Sequence, residues 1–326
     1  MKNVLVTGAA GFIGSFLVEE LLARGYAVIG VDNLFRGSME NLAGVILNPA
    51  FRFEKLDLAE TKAPARLREI LQQNQTQVLF HLAAINGTEY FYDASWMVLD
   101  VNSRSTQTVL SAVEGTSVKY IAYASSSEVY GEPITVPTPE THPILLNAEA
   151  DRDSYASSKA IGDFYVRIGA CKLGIDALVM RIFNQYGPRM VGSKYGQVIG
   201  EFIRRALTEP EFTIIGNGSH TRSFCLVTDG VRVMVDLLEK RFTGFINLGN
   251  DTEISILELA GQIHSKLGRE FKPVFLPERP NDHRRRCPDI SLLRQMIPNI
   301  KMTSLDEGLE ITIKHFRNSL VPPQVP

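Results

Sequence analysis

Short apolar runs rich in β-branched residues alternate with amphipathic stretches of helical period over roughly the first 185 residues. This alternation predicts a parallel sheet covered by helices. The predicted strands are Asn3–Thr7, Ala27–Asp32, Arg52–Lys55, Val78–Leu82, Lys119–Ala124 and Ala177–Ile182. The predicted helices between them cover residues 12–24, 62–73, 94–115 and 155–173. The expected fold class is therefore α/β, a Rossmann-type doubly wound parallel sheet.

The rhythm changes beyond Gly187, where isolated arginines and Gly/Pro turns interrupt the pattern. The elements predicted there are helices at 196–208, 255–267 and 305–318, a helix Asp229–Lys240, and strands Phe212–Ile215 and Gly244–Leu248. We expect residues 1–187 to form the first lobe, rejoined by about 225–250. Residues 188–326 are expected to form mainly a smaller α+β lobe that captures substrate over the C-terminal ends of the strands.

Composition narrows the classes of function. The 326 residues are 44% hydrophobic and 21% charged with a net charge of -2, which gives no general attraction to nucleic acid or to an anionic membrane. No apolar run approaches the ~20 residues that span a bilayer, and no signal core precedes the first strand. The cysteines, Cys171, Cys225 and Cys287, are odd in number and widely spaced, which resembles neither a disulfide framework nor a metal site. We expect a cytoplasmic protein without a structural metal.

A glycine turn follows the first predicted strand. Gly8, Gly11 and Gly14 lie between that strand and a helix, where the backbone can approach a pyrophosphate and the helix N-terminus can face its charge. Asp32 ends the second strand, where a carboxylate can accept hydrogen bonds from a ribose diol. Asp32 would repel a 2′-phosphate, so NAD is favoured over NADP, although Arg36 could soften this discrimination.

Tyr155 and Lys159 lie four residues apart on a predicted helix, so phenol and ammonium share one face. A phenol loses its proton near pH ~10, and a nearby cation lowers that pKa. The pair therefore predicts a general base that works near neutral pH.

Six motifs in order resemble the extended short-chain dehydrogenases/reductases of the nucleotide-sugar epimerase/dehydratase group. They are Gly8-x-x-Gly11-x-x-Gly14, Asp32-Asn33-Leu34, His81-Leu-Ala-Ala84, Ser125-Ser-Ser-Glu-Val-Tyr-Gly131, Tyr155-x-x-x-Lys159 and Arg181-Ile-Phe-Asn-Gln-Tyr-Gly-Pro188. The resemblance implies an NAD-holding Rossmann lobe and a second lobe for a nucleoside-diphosphate sugar, with UDP as the nucleotide that the closest motifs suggest. It also implies a homodimer that pairs the helices near 94–115 and 155–173.

The resemblance also implies roles for individual residues. Tyr155 would take the proton of the sugar C4 hydroxyl while hydride moves to NAD. Lys159 would lower the pKa of Tyr155 and bind the nicotinamide ribose. Ser126 would form a hydrogen bond with the reacting oxygen. The expected cofactor contacts are Gly8, Gly11, Phe12, Ile13, Gly14, Asp32, Asn33, Arg36, Asp57, Leu58, Leu82, Ala83, Ala84, Asn102, Tyr155 and Lys159. The expected substrate contacts are Asn86, Thr88, Asn184, Arg222, Arg279 and Asp282, where the arginines suit phosphate oxygens.

Residues after Ser126 bear on the reaction. Hexose 4,6-dehydratases carry Asp-Glu there, whereas this chain has Ser127 and Glu128, and a serine cannot protonate a departing hydroxyl. Ser-Glu resembles the UDP-glucuronate decarboxylases, as do Arg181–Met190 and Arg286-Cys-Pro-Asp-Ile290. Glu128 and Arg286 would then handle protons and orient a substrate whose 4-keto form loses CO2 easily.

One segment departs from that group. Residues Ile85–Tyr92 stand where those decarboxylases carry a proline-rich loop over the sugar. A 4-epimerase acting on another nucleotide sugar or on a uronate therefore remains an alternative, and a 4,6-dehydratase a weaker one. A non-catalytic NAD-binding regulator would be expected to have lost part of the set Ser126, Tyr155 and Lys159, which is intact here.

Overall fold

The protein is described from a computed structural model that covers residues 2–193, 196–278 and 283–320. Arg279 and Asp282, two of the expected substrate contacts, lie outside these described residues. In the described ranges, none of the helices combines the length and the apolar character that crossing a bilayer requires.

The described strands and helices alternate in the first half of the chain, as the sequence predicts. The strands are β1 Asn3–Thr7, β2 Ala27–Asp32, β3 Phe51–Lys55, β4 Val78–His81, β5 Tyr120–Ser126, β6 Asp176–Ile182, β7 Gln185–Tyr186, β8 Phe212–Ile215, β9 Thr221–Ser223, β10 Cys225–Leu226, β11 Gly244–Leu248, β12 Glu253–Ser255, β13 Pro273–Leu276 and β14 Arg285–Arg286. The helices are α1 Phe12–Ala23, α2 Ala63–Gln73, α3 Thr88–Asp93, α4 Ser95–Val113, α5 Asp153–Leu173, α6 Val198–Thr208, α7 Val227–Glu239, α8 Ile256–Leu267, α9 Ser291–Met296 and α10 Leu305–Leu320. Two 3-10 turns cover Met39–Leu42 and Ser127–Tyr130.

The main sheet has seven parallel strands in the order β11-β6-β5-β4-β1-β2-β3. Its central strands are buried on both faces, which explains why they read as continuous apolar runs. The chain leaves β1 toward β2 and then returns on the other side to β4, so the strand order reverses between β1 and β4. A cleft forms at such a switch point beyond the carboxyl ends of the strands. The predicted doubly wound α/β class is confirmed.

Helices cover both faces of this sheet. One apolar cluster joins α1, through Leu17 and Leu21, to α7, through Val231 and Met234. A second cluster on the opposite face joins α2, α4 and α5. Strand β11 and helix α7 therefore belong to the same layers as the first half of the chain, although they come after Gly187 in sequence.

A third apolar cluster forms the core of the remaining part, where α6, α8 and α10 pack through Ile203, Ile263 and Ile313. Short strand pairs flank it: β8 with β13, and β9 between β12 and β14. This mixture of helices and small sheets is the α+β arrangement that the sequence predicts for the second lobe.

The predicted helix at 94–115 is confirmed as α4, and a short helix that the sequence did not predict, α3, precedes it. Gly87 has φ +142°, which favours glycine, and α3 begins directly after it. Ala94, with φ -144° and ψ 38°, separates α3 from α4. The segment Ile85–Tyr92, expected as a loop, therefore includes most of a short helix.

Candidate active site

The glycine turn lies at the carboxyl end of β1. Gly8 has φ +70°, and a Cβ there would lie 2.9 Å from the backbone nitrogen of Ala83. At Gly14 a Cβ would lie 2.0 Å from the carbonyl oxygen of Gly8. Glycine is thus required at both positions for the turn and helix α1 to approach each other, which leaves the backbone exposed to a bound pyrophosphate. The residues present fit a dinucleotide.

Two carboxylates continue this surface along β2 and β3. Asp32 Oδ2 accepts a hydrogen bond from the Ala10 nitrogen at 3.0 Å, and its Oδ1 accepts one from Leu34 at 2.8 Å. Burial raises the pKa of Asp32, while these backbone bonds lower it. Asp57 accepts a bond from the Asn33 side chain at 3.0 Å. Asp32 is therefore fixed at the strand end, with lone pairs left for a ribose diol.

A cavity of about 430 Å³ extends from the glycine turn to the carboxyl ends of β5 and β6. This volume lies within the range of ligand pockets, roughly 300–1,000 Å³. Sequence-predicted residues that line it are Gly8, Gly11, Phe12, Ile13, Gly14, Asp32, Asn33, Arg36, Asp57, Leu58, Leu82, Ala83, Ala84, Asn86, Thr88, Ser126, Glu128, Tyr155, Lys159 and Asn184. The fold therefore brings most of the predicted site into one cleft.

Ser126, Tyr155 and Lys159 line this cavity, and we call them the hydride-transfer centre after the role that the sequence resemblance implies for them. Ser126 ends β5, and its hydroxyl is a hydrogen-bond partner of Tyr155. Tyr155 and Lys159 lie on the first turns of α5, and Lys159 Nζ donates to the Ala124 carbonyl at 2.7 Å. The ammonium is 5.8 Å from the Tyr155 ring centroid.

The surroundings of Tyr155 shift the pKa of its phenol in opposing directions. Burial raises the pKa of the phenol, and the Ser126 hydroxyl and the Arg36 cation only partly oppose this. Lys159 is not among the groups that lower the pKa of Tyr155, and burial lowers the pKa of Lys159 itself to about 8. Burial thus outweighs the groups that lower the Tyr155 pKa in the protein alone, and the action of Lys159 on this pKa stays a prediction.

Helix α3 covers the tyrosine. The Phe91 ring stacks on the Tyr155 ring with centroids 4.8 Å apart and planes 13° from parallel. Arg36 reaches the same helix from the end of β2, because its guanidinium lies 5.1 Å from the Tyr90 ring centroid and donates to the Asn86 carbonyl. Arg36 was expected to modulate the recognition of the adenosine ribose. The structure instead places its guanidinium against the segment Ile85–Tyr92.

A group of charged residues, the Glu128 cluster, adjoins the hydride-transfer centre and consists of Glu128, Arg152, His283 and Arg286. Arg286 Nη1 donates to Glu128 Oε1, and Arg152 Nη1 lies 3.0 Å from Glu128 Oε2. Burial raises the pKa of Glu128, but Arg286 and Arg152, with His283, outweigh it and hold this pKa far below its usual range. Glu128 is therefore ionised. It can accept hydrogen bonds but holds no proton to donate, so of the proton handling expected of it the accepting role is the one that fits.

The expected substrate residues have different surroundings. Asn184 lines the cavity and donates to the Ser223 carbonyl at 3.2 Å, while Asn86 and Thr88 line it at the start of α3. Arg222 bonds the carbonyl oxygens of Thr221 and His283, both at 2.8 Å. Arg222 is not among the described residues that line the cavity.

Asn102 supports the site from behind the cavity wall. Its side chain exchanges two hydrogen bonds with the backbone of Ile85, at 2.7 and 3.1 Å, and donates to the Ser158 hydroxyl at 3.1 Å. It is 3% exposed, and all of its polar atoms are used in these contacts. Asn102 was predicted to contact the cofactor. It holds the beginning of the Ile85–Tyr92 segment instead.

Sequence reasoning missed Phe91, Arg152 and His283. Phe91 was visible only as part of an unexplained segment. Arg152 lies three residues before Tyr155, and His283 lies three before Arg286, so proximity to predicted residues was the available signal. Among the described residues, no group of three or more His, Cys, Asp or Glu side chains is arranged to hold a metal ion.

Comparison with known proteins gives one family and consistent relatives. Residues 4–249 match the NAD dependent epimerase/dehydratase family. The chain is 32% identical over 319 residues to UDP-glucuronic acid decarboxylase 1 of Arabidopsis thaliana, covering 98% of this chain and 71% of that protein. It is 35% identical to UDP-N-acetyl-alpha-D-glucosaminuronate decarboxylase of Bacillus cytotoxicus, covering 97% of this chain and 98% of the relative.

Solved structures with the same fold include two epimerases. UDP-glucose 4-epimerase of Thermotoga maritima, solved with UDP-glucose, has a TM-score of 0.87 and 29% identity, covering 98% of this chain and 99% of the other. UDP-glucuronic acid 4-epimerase of Bacillus cereus, solved with UDP-glucuronic acid and NAD, has a TM-score of 0.86 and 29% identity, covering 97% and 99%.

Proposed function

We propose, from the premise that this chain belongs to the NAD dependent epimerase/dehydratase family, that it decarboxylates a UDP-linked hexuronate to a UDP-linked pentose. The chain is an NAD-dependent enzyme of nucleotide-sugar metabolism, as its family and relatives show. The names of the two decarboxylases support a uronate as the substrate. The single observation in the structure that carries the choice of reaction is the ionised Glu128 held by Arg286 beside Ser126.

The first step is oxidation at C4 of the sugar. NAD, when bound, accepts the hydride from C4 and later returns it. Tyr155, as phenolate, takes the proton of the C4 hydroxyl, and Ser126 hydrogen-bonds the same oxygen. Phe91 covers the face of the Tyr155 ring, so that this proton transfer occurs away from bulk water.

The second step distinguishes the candidate reactions. A 4-keto uronate is a β-keto acid, so its C5–C6 bond breaks to release CO2 and the electron pair passes to an enolate at C5, C4 and O4. A proton that comes ultimately from water is then added at C5, the C4 carbonyl is reduced again, and Tyr155 gives its proton back to O4. Dehydration would instead need an acid for the departing hydroxyl, and neither Ser127, which stands where the dehydratases carry an aspartate, nor the ionised Glu128 can supply that proton.

The test is product analysis with UDP-glucuronate, UDP-N-acetylglucosaminuronate and UDP-glucose, using enzyme loaded with NAD and the Tyr155→Phe variant as the inactive control. Decarboxylation predicts a product lighter by one CO2 from at least one uronate and none from UDP-glucose. Formation of a UDP-linked 4-keto-6-deoxyhexose, lighter by one water, from UDP-glucose would instead indicate dehydration and contradict the proposal.

A second candidate is 4-epimerisation of the uronate without loss of its carboxylate. The segment Ile85–Tyr92 favours epimerisation because it differs from the decarboxylases. Here helix α3 stacks Phe91 on Tyr155, whereas the decarboxylases carry a proline-rich loop at this place. In the same experiment, unchanged mass together with altered ring couplings in the NMR spectrum would establish epimerisation.

We also propose a homodimer that pairs α4 and α5. Helix α5 exposes Ile161, Phe164 and Ile168, which lie on one face at helical spacing, and α4 exposes Trp96. Phe164→Glu should shift the sedimentation coefficient toward that of a monomer. Phe275→Glu, a matched change at an exposed phenylalanine of β13, should leave it unchanged. A wild-type monomer would contradict the proposal.

A cytoplasmic location is supported by the cysteines, because Cys171, Cys225 and Cys287 are all free. Fractionation of cells that express the protein tests this, and recovery from an extracellular or periplasmic fraction would contradict it.

A further inference from the structure

The Glu128 cluster is assembled from separate parts of the chain. Glu128 follows β5 in a 3-10 turn, Arg152 immediately precedes α5, His283 lies shortly before β14, and Arg286 lies in β14. Arg152, His283 and Arg286 are all less than a tenth exposed, whereas Glu128 reaches the cavity. The two arginines therefore act on the cavity through the carboxylate in front of them.

His283 occupies a specific place in this network. Arg152 Nη1 donates to His283 Nε2 at 2.7 Å and to Glu128 Oε2 at 3.0 Å, so one nitrogen serves both acceptors. On its other side, His283 Nδ1 lies 3.4 Å from a carboxylate oxygen of Glu132, which is more than half exposed. The His283 ring is thus oriented with its acceptor nitrogen toward Arg152 and its N–H toward Glu132.

Only neutral imidazole can hold this arrangement, because a protonated ring has no acceptor. Burial lowers the pKa of His283 to about 2, and Arg286, Arg152 and Arg222 lower it as well, while Glu128 opposes them. His283 is therefore neutral across the working pH range. Its backbone carbonyl also accepts the hydrogen bond from Arg222, so the imidazole is fixed at both ends.

We propose that His283 and Arg152 are positioning residues for Glu128. The His283 imidazole accepts a hydrogen bond from the Arg152 guanidinium and so directs this guanidinium at Glu128 Oε2, which leaves Oε1 to Arg286. This arrangement keeps a proton-free, immobile acceptor in the cavity wall next to Ser126. The activity part of this inference rests on the proposed function, because an acceptor fixed there acts on the sugar ring after C4 is oxidised.

The consequence is a defined pH dependence. The charged and titratable groups that face Glu128 are Arg152 and Tyr155 at the start of α5, and His283 and Arg286 in the strand region. Removing the attraction of Arg152 raises the pKa of Glu128, because the ionised carboxylate then has less support against burial. Protonation of Glu128 would then appear as a new acid limb in the rate profile.

The experiment uses the NAD-loaded enzyme and compares His283→Leu with His283→Gln. The leucine removes the acceptor, whereas the glutamine carries an amide oxygen that can replace Nε2. His283→Leu should lower turnover about tenfold to hundredfold, the loss expected for one hydrogen bond to a charged group. It should also introduce an acid limb that wild type lacks, and His283→Gln should restore both the rate and the profile. If His283→Leu folds poorly, Arg152→Met provides a second test, in which the pKa of Glu128 should rise further.

A direct titration of Glu128 separates this inference from the proposed function. The infrared carboxyl band of Glu128, identified by its loss in Glu128→Gln, should titrate at higher pH in His283→Leu than in wild type, whether or not pentose forms. If His283→Leu titrates like wild type, or if His283→Gln is as impaired as His283→Leu, the positioning role is refuted. A missing product with a shifted titration would refute only the decarboxylation.

Discussion

The hydride-transfer centre and the Glu128 cluster adjoin each other but are built in opposite ways. The first comes from the end of β5 and one turn of α5, so a five-residue motif places its tyrosine and lysine. The second joins Glu128 to side chains that are distant in sequence. Arg152 and Arg286, which pair with the Glu128 carboxylate, lie 24 and 158 residues away. His283, whose Nε2 is 3.8 Å from Glu128 Oε2, lies 155 residues away.

The two regions also differ in whether the buried ionisable group keeps its proton. Around Tyr155, burial dominates and the phenol keeps its proton until opposing groups act. Around Glu128, burial is of the same sign, but two guanidiniums outweigh it and the carboxylate stays ionised. Neighbouring groups can thus hold opposite protonation states in one cavity. One is able to exchange a proton, and the other only accepts hydrogen bonds.

The largest expected effect is in the hydride-transfer centre. Tyr155→Phe removes the base and should lower turnover by about 10²–10⁴-fold with little change in unfolding free energy. Steady-state kinetics and thermal unfolding measure both quantities. Tyr165→Phe, a change on the same helix whose hydroxyl bonds Gln107, is the matched control and should stay near wild type. Full turnover by Tyr155→Phe would refute the assignment.

Glu128→Gln should have the next largest effect, on the second region. It leaves Arg152 and Arg286 without their carboxylate, and we expect a loss of about 3 kcal/mol in unfolding free energy, as when one partner of a buried pair is removed. Pentose formation should fall while reduced nicotinamide still forms. Glu132→Gln, at an exposed carboxylate near the same histidine, should cost less than about 1 kcal/mol.

The same variant has a predicted pH dependence. Because the folded-state pKa of Glu128 is lowered, its contribution to stability is present above the unfolded pKa, near ~4.3, and is lost as pH falls toward the folded value. Acid unfolding curves should therefore converge for wild type and Glu128→Gln as pH falls below about 4. If the difference in unfolding free energy between wild type and Glu128→Gln stayed constant down to the acid transition, the ion pairs of Glu128 would contribute no pH-dependent stability.

Phe91→Ala should have a smaller effect and sharpen the role of burial at Tyr155. Opening the stacked face to water should lower the Tyr155 pKa, so the limb of the rate profile that reports it should move to lower pH. We expect about a tenfold loss of turnover from weaker positioning. Phe91→Leu, which keeps most of the apolar cover, should retain most of the wild-type profile, and an unmoved limb in the alanine variant would contradict the stated cause.

The smallest effect concerns the border between cofactor and substrate residues. Asp32→Ser should improve the use of NADP relative to NAD by roughly tenfold, because a carboxylate no longer opposes the 2′-phosphate. Arg36→Ala should leave this ratio unchanged, since Arg36 contacts Asn86 and Tyr90 rather than Asp32. Measuring both cofactors with each variant decides the matter. A change in the use of NADP relative to NAD in Arg36→Ala would show that Arg36 contributes to recognition of the adenosine ribose.

The sequence predicted what depends on local pattern. Strands, helices, the glycine turn and the Tyr155/Lys159 spacing follow from periodicities of two and 3.6 and from turn chemistry. The short helix α3 was not predicted, because its contact with α5 through Phe91 and Tyr155 is a tertiary contact that the local pattern does not contain. The burial of Tyr155 and the pairing of Glu128 with Arg152 were not predicted, because both depend on contacts across the fold that no local window contains.

The mass of the product formed from UDP-glucuronate by the NAD-loaded enzyme tests the central claim most directly. The account predicts a UDP-pentose lighter than the substrate by one CO2, with no net consumption of NAD and no such product from Tyr155→Phe. A nucleotide sugar of unchanged mass, formed by wild-type enzyme at a rate that Tyr155→Phe abolishes, would contradict decarboxylation.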